Sequence, residues 1–372
     1  MTTPEEHSRR DFLRGRAAVR VVAGKAQAWV DSASELLGVN IAPGSVAHVH
    51  ASRRAMACEF AVQYHEADGE MQEEVLAAFD LIEQVEDQLT IYRDHSEVID
   101  INQRAAQGPV EVDSELYGLL QLCQQLNRDT AGAFDITSGP LSRTWGFLQR
   151  AGRLPDASEI EVALALVGAE NVDLDAESQT VRFRKLGIEI NFNSIGKGYA
   201  LDRAAMLLDE ANHTDYLWHG GGSSVLARGE NRGSREACWT IGLRHPLQPE
   251  RRLAEFHLRD RALATAGGAT QFFEESLDGK CRQFSHILDP RSGWPATEVL
   301  TATVLAPTAA LADGLATAFF VLGVESTKQY CSRHPEIGAV LVCPAEKAQG
   351  IAVNTIGLHE NEWTHLPSTA DC

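Results

Sequence analysis

A histidine, a carboxylate and a guanidinium fall within six residues of one another in Phe284-Ser-His-Ile-Leu-Asp-Pro-Arg-Ser-Gly-Trp-Pro295. A histidine with an unperturbed pKa near ~6.5 takes or gives a proton at neutral pH, and Pro290, Gly293 and Pro295 mark a turn stiff enough to hold it. His286 is therefore the first candidate for general base, and Asp289 either orients its ring or caps the turn. A second group is Gly196-Lys197-Gly198, between a strand-like run and a helix. Free backbone N–H groups and a helix dipole there would favour a phosphate, with Lys197 as a local cation, although a plain helix cap fits the same residues. It is not a P-loop, because the G-x-x-x-x-G-K-[ST] spacing is absent. Asp313 and Thr317, four apart in a predicted helix, share a face and offer hard oxygens that suit Mg²⁺. Two oxygens do not complete a site, so substrate phosphates, water and a group near Ser194 would have to supply the rest. On spacing alone the pair also reads as ordinary surface polarity. The glycine run His219-Gly-Gly-Gly-Ser-Ser224 sits inside a strand pattern and marks either a bulge or a close approach of backbone or ligand.

These residues need a scaffold, and the chain predicts one of mixed type. Val46 to Tyr64 reads as a strand broken near Ser52-Arg-Arg54, and Glu70 to Leu89 as an amphipathic helix through Val75, Leu76, Phe79, Ile82, Val85 and Leu89. Asp113-Ser114 caps a helix running toward Gly132, and Ser158 to Val167 is a short one. Strands are expected at Val172, Thr180 to Arg184, and Ile188 to Phe192, followed by a helix from Gly198 to Ala211. Further strands cover Tyr216–Ala227, Trp239–Leu243, Leu253–Leu258, Ala262–Ala266, Gln283–Leu288 and Thr301–Leu305. Helices Ala309–Leu322 and Ser326–His334 precede strands at Gly338–Val342 and Gly350–Val353. No regular βαβ rhythm appears, so the class is α+β, a single domain of mainly antiparallel strands with packed helices. The division is a leader and linker over residues 1–50 and one domain over 51–372.

Composition narrows the function. With 33 Lys plus Arg against 52 Asp plus Glu, the formal net charge of −19 disfavours nucleic acid and anionic lipid as partners. No run approaches 18 apolar residues, so no transmembrane segment is expected. The seven cysteines are scattered without a C-x-x-C pair; they read as reduced or structurally idle thiols and argue against a zinc site. Ser8-Arg-Arg-Asp-Phe-Leu-Arg14 is like a twin-arginine export tract, but Arg20 and Lys25 interrupt the apolar core that a signal needs. A cytoplasmic location is favoured on that ground over a periplasmic or membrane-associated one.

Taken in order, Gly132-Ala-Phe-Asp-Ile-Thr-Ser-Gly-Pro-Leu-Ser-Arg-Thr-Trp-Gly-Phe147, Asn191-Phe-Asn-Ser-Ile-Gly-Lys-Gly-Tyr-Ala-Leu-Asp202, the His286 segment and Ala312-Asp-Gly-Leu-Ala-Thr317 resemble the motif series of the FAD:protein FMN transferase (ApbE) family. The resemblance runs from about Met56 to about Gly357. It implies that FAD and Mg²⁺ bind together and that a Thr or Ser hydroxyl of a partner flavoprotein, of the kind found in electron-transfer complexes, attacks the phosphorus on the FMN side. AMP leaves and the partner keeps FMN. By the same resemblance Met56, Thr90, Ile91, Tyr92, Ala133, Phe134, Asp135, Asn191, Lys197 and Ile287 would contact FAD. His286 would be the base, and Ser194, Asp313 and Thr317 would hold Mg²⁺.

The chain departs from the pattern in places. Asn191 replaces a common aspartate, Ala264-Thr-Ala-Gly-Gly268 a common A-T-S-G-D, and Cys58 a common threonine, while Ala316 supplies no side-chain oxygen. Asn191 keeps a donor and an acceptor but adds no charge for a metal. Two other functions stay open on these grounds: an FAD pyrophosphatase yielding FMN and AMP, and a scaffold that binds FAD without chemistry.

Overall fold

The computed structural model describes residues 48–366 apart from 235, 269–271, 278–279 and 346–349. The twin-arginine tract and most of the 1–50 leader lie outside that range. The first hairpin is β1 (His48–Ala55) and β2 (Cys58–His65), with Ala55 paired to Cys58 across Met56-Ala57. The break in this strand therefore falls at Met56-Ala57 and not at Ser52–Arg54. Both turn residues have positive φ, 49° and 59°, a conformation that two-residue hairpin loops need for twist but that Asn-Gly adopts more easily.

Next come α1 (Gln72–Leu89) and α2 (Glu97–Arg104), the latter started by Ser96, whose Oγ accepts from Ile99 N at 3.0 Å. β3 (Val110–Glu111) precedes α3 (Ser114–Asp129), which is capped by the Asp113 carboxylate accepting from Glu115 N. Then follow α4 (Gly139–Thr144), α5 (Ala157–Leu164), β4 (Val172–Asp175) and β5 (Thr180–Phe183), with β3-β5-β4 forming a small antiparallel sheet. The expected strand Ile188–Phe192 is absent. That segment is extended but pairs with a side chain: Asn102 Nδ2 donates to Ile190 O, and Ile190 N donates back to Asn102 Oδ1.

α6 (Gly196–Glu210) leads into the hairpin β6 (Tyr216–Gly220) and β7 (Ser224–Arg228). The glycine run is the turn of this hairpin rather than a bulge, with Gly221 and Gly222 at φ 57° and 64°. β8 (Trp239–His245), β9 (Gln248–Leu258) and β10 (Ala262–Gly267) follow, then the hairpin β11 (Phe272–Leu277) and β12 (Lys280–Ser285). The chain ends with β13 (Thr301–Ala306), α7 (Ala309–Arg333), β14 (Gly338–Pro344), β15 (Ile351–Ile356) and β16 (Trp363–His365). The break predicted between Leu322 and Ser326 is a kink inside α7 at Gly323, φ 71°.

The main sheet has the order β1-β2-β6-β7-β10-β13-β14-β15, antiparallel at every pairing. Side chains alternate across it. Trp218, Leu226 and Val304 enter a large core beneath α1, α3, α6 and α7, whereas Leu217, Val225 and Leu305 enter a second core. The second core is closed by Trp239, Ile241 and Phe256 of the small sheet β16-β9-β8. Alternation of this kind is what lets one sheet support two layers. α7 is long and apolar enough to cross a membrane, but its apolar residues, Leu315 and Phe319 among them, are buried in the main core. A third cluster, Trp145, Phe147, Phe284 and Leu288 with Phe273, joins α4 and its following turn to the β12 end.

Candidate functional site

The site is built where α6 and α7 cross. Gly198 makes the crossing possible: a Cβ there would lie 2.0 Å from Ala309 O, so any other residue would force the helices apart. At this closeness the Gly198 N–H donates to Asp313 Oδ2 at 2.7 Å, and the Ser224 hydroxyl donates to Asp313 Oδ1 at 2.6 Å. Asp313 is buried, which raises its proton affinity, and the nearby Lys197 charge is the first opposing influence. Asp202, from the middle of α6, accepts from Ala309 N and Ala310 N at 2.8 Å each and so anchors the start of α7. Burial pushes Asp202 up to about 6, and those two N–H groups pull it back only in part.

Around the α6 start lie three further segments. Leu89, at the end of α1, reaches 3.7 Å from where a Gly196 Cβ would be, which puts Thr90-Ile91-Tyr92 beside the first turn. Thr90 closes α1, its Oγ1 accepts from Tyr92 N at 3.2 Å, and its carbonyl accepts from Ser96 Oγ at 2.5 Å. Ile91 packs on the core, and the Tyr92 ring is 66 % exposed, free to offer an aromatic face. The Met56-Ala57 turn brings Cys58 against Gly221, and the Lys197 Cδ lies 3.9 Å from a Cβ built at Gly221. Cys58 also feels the charges of Lys197 and Asp313, although burial is what chiefly raises its thiol pKa.

On the other side, a Cβ at Gly314 of α7 would lie 3.5 Å from the Phe134 ring, and one at Gly132 would lie 3.6 Å from Arg291 Cγ. Gly132-Ala133-Phe134 thereby spans from α7 to the His286 loop. Asp135 is turned elsewhere. Its Oδ1 accepts from Thr137 N and Oγ1, and its Oδ2 accepts from Asn127 Nδ2 and Ala169 N. It shapes the loop that presents Ala133 and Phe134. Asn191 likewise accepts from Asn193 N at 2.8 Å and makes the turn into Ser194. His219 faces the opposite core, its pKa lowered to about 3 by burial, so it stays neutral at working pH.

His286 follows β12 in a loop fixed at every step. Ile287 N donates to Ser285 Oγ at 3.2 Å, Ala296 N donates to Ile287 O, and Leu288 bridges to Pro295. Asp289 grips Arg291 through two parallel 2.8 Å bonds and accepts from Arg291 N, so it caps the turn. Trp145 Nε1 donates to Gly293 O at 2.9 Å, and Phe147 meets the His286 ring edge-on at 6.5 Å. β10 connects this loop to Asp313: Ala264 pairs with Ser224, and Ser285 Oγ lies 3.3 Å from the Gly268 Cβ position. Four residues of strand separate the two ends, roughly 13 Å.

The donor set at the helix crossing fits a hard divalent cation. Asp313 supplies a buried carboxylate whose oxygens each keep a lone pair after one hydrogen bond. Thr317, half-buried one turn along α7, and Ser194, half-buried just before α6, add hydroxyl oxygens. Such oxygens with phosphate and water are the usual surroundings of Mg²⁺ and suit no soft metal. Ala316 is buried in the core and adds nothing to the set. Sequence reading missed Ser224 and Asp202 as partners. Both lie inside quoted motifs, but only the sheet register and the helix crossing reveal what they touch.

Residues 56–341 match the model of the ApbE family. The chain is 33% identical over 274 residues to the FAD:protein FMN transferase of Klebsiella pneumoniae (strain 342), covering 73% of this chain and 83% of that protein. It is 30% identical over 303 residues to the FAD:protein FMN transferase of Vibrio cholerae, covering 80% and 88%. Among solved structures it resembles the ApbE protein of Thermotoga maritima, with TM-score 0.73, 28% identity, and coverage of 83% of this chain and 97% of that one. The flavin transferase ApbE of Vibrio cholerae gives TM-score 0.72 at 26% identity, covering 84% and 98%.

Proposed function

The chain belongs to the ApbE family, and from that membership we propose that it is an FAD:protein FMN transferase that needs Mg²⁺ and acts on a Thr or Ser hydroxyl of a flavoprotein partner. The observation that carries this reading is Asp313, held between the Gly198 N–H of the α6 start and the Ser224 hydroxyl, with the Lys197 charge nearby. Phosphoryl transfer asks for alignment and charge neutralisation more than for covalent help. The Lys197 charge and the positive end of the α6 dipole would draw the FAD pyrophosphate, and Tyr92 with the Ala133-Phe134 segment would flank the isoalloxazine. Ser194, Asp313 and Thr317 would hold Mg²⁺, which when bound draws charge from the phosphate oxygens.

His286 takes the proton from the acceptor hydroxyl as its oxygen forms a bond to the FMN phosphorus. The bond from that phosphorus to the bridging oxygen breaks, and AMP departs with the oxygen. The test is to mix the protein with FAD, Mg²⁺ and an acceptor domain bearing an exposed Thr and to weigh the products. Expected are an acceptor heavier by one FMN group, bonded through phosphate, and one AMP per transfer. Free FMN with AMP and an unchanged acceptor would make the enzyme a pyrophosphatase, and intact FAD would leave only a binding protein.

A further inference from the structure

A second constellation lies on the far layer of the molecule, on the outward face of the β16-β9-β8 sheet. Trp239 and Ile241 of β8 point into the second core, so Thr240 points out, directly opposite His257 of β9. Cys238 lies two residues before Thr240 on the same face. Ala237 has φ 52°, a left-handed residue that bends the chain back and lets Glu236 reach over Cys238. Ligand atoms of Glu236, Cys238 and His257 all fall within 4.8 Å of one another.

We propose that Glu236, Cys238 and His257 form a site for one divalent transition ion of zinc's preferences, with water or an incoming ligand completing the tetrahedron. Cys238 Sγ is 4.0 Å and His257 Nδ1 3.7 Å from Glu236 Oε2. In a tetrahedral zinc site those separations are about 3.5 Å and about 3.3 Å from the usual bond lengths, so these two edges need to close by roughly half an ångström, a shift that the exposed Glu236 side chain can make. His257 Nδ1 is buried and has no hydrogen-bond partner, whereas Nε2 lies 3.1 Å from Thr364 Oγ1. One ring nitrogen toward the ion and the other tied to a neighbouring acceptor is how ligating histidines are held. Thiolate, carboxylate and neutral imidazole carry two negative charges, which a divalent ion cancels; binding releases the thiol proton to solvent. Sulfur and imidazole nitrogen separate this site from the all-oxygen set at Asp313. Ligation would clamp the loop before β8 to β9, which is a structural and not a catalytic effect.

The experiment titrates cobalt(II) into the full-length protein, chelator-treated, reduced and free of FAD. Expected is one equivalent bound with a thiolate-to-cobalt charge-transfer absorption, displaced by zinc. That absorption should vanish in Cys238→Ser and remain in Asp313→Ala, and affinity should fall by roughly tenfold or more in His257→Ala and Glu236→Gln. Glu236 is exposed, so its variant reads binding without disturbing the fold. Absence of the charge-transfer absorption at saturating cobalt, or its survival in Cys238→Ser, would overturn the proposal.

Discussion

At the residue scale, the proposed mechanism separates proton transfer at His286 from charge handling at Asp313 and Lys197. Removing the imidazole with His286→Ala should lower single-turnover FMN transfer by roughly 10²–10⁴-fold while FAD still binds, as a rate series and a fluorescence titration would show. Ser224→Ala leaves Asp313 Oδ1 without its donor in a buried setting, a loss of about 1–3 kcal/mol that urea denaturation can measure. The same variant should raise the Mg²⁺ concentration needed for turnover, because the carboxylate is no longer held in one rotamer. His286, Lys197, Asp313 and Thr317 stand out in the sequence as candidates through the ordered motifs that contain them, since residue type and spacing alone also allow a helix cap or a surface pair. The role of Asp289 does not, since a carboxylate three residues after a histidine serves ring or turn equally well; its paired bonds to Arg291 show the turn role and come from the fold. Glu236, Cys238 and His257 escape for a related reason: strand register, not spacing, brings them together.

At the scale of elements, the crossing of α6 over α7 governs both stability and function. Gly198→Ala would drive a methyl into Ala309 O, so thermal denaturation should show a fall of at least about 1–3 kcal/mol, and FAD affinity should fall with it. Asp202 gives the crossing a pH dependence. Its folded pKa of about 6 lies above the unfolded carboxylate value, so the folded state holds the extra proton between about pH 4 and 6. Stability contributed at this position must then fall as pH rises through that window and level off above it, by on the order of 2–3 kcal/mol. Denaturation of wild type and Asp202→Asn across pH 4 to 7 should show wild type losing stability relative to the variant as pH rises from about 4 to about 6; a constant difference would refute the assignment. Helices with long apolar periodicity, α1 and α3 above all, are plain in the sequence. The short α2 and α4 are not, and the stretch Ile188–Phe192 reads as a strand because its apolar alternation is real while its hydrogen bonds go to Asn102.

For the molecule as a whole, two layers on one antiparallel sheet put the proposed flavin site on the helical side and leave the other side to a small sheet. The alternating pattern announces an α+β class, but strand order is fixed by pairings between distant segments, such as β2 with β6, that no local pattern encodes. A net charge of −19 sets a field that repels FAD at long range, with Lys197 and the α6 start as a local exception. Raising salt from about 20 to about 150 mM should therefore leave the KM for FAD unchanged or lower it, opposite to an enzyme that steers its substrate with a basic surface. The division of labour between Asp313 and His286 is tested most directly by single-turnover transfer to an acceptor, followed by intact mass over a range of Mg²⁺ concentrations, in wild type, Asp313→Ala and His286→Ala. Expected is a Mg²⁺-dependent FMN mass gain in wild type, the same Mg²⁺ dependence with a far slower rate in His286→Ala, and no Mg²⁺ response in Asp313→Ala. A mass gain in Asp313→Ala with wild-type Mg²⁺ dependence would contradict the assignment of the metal and phosphate end of the site to the helix crossing.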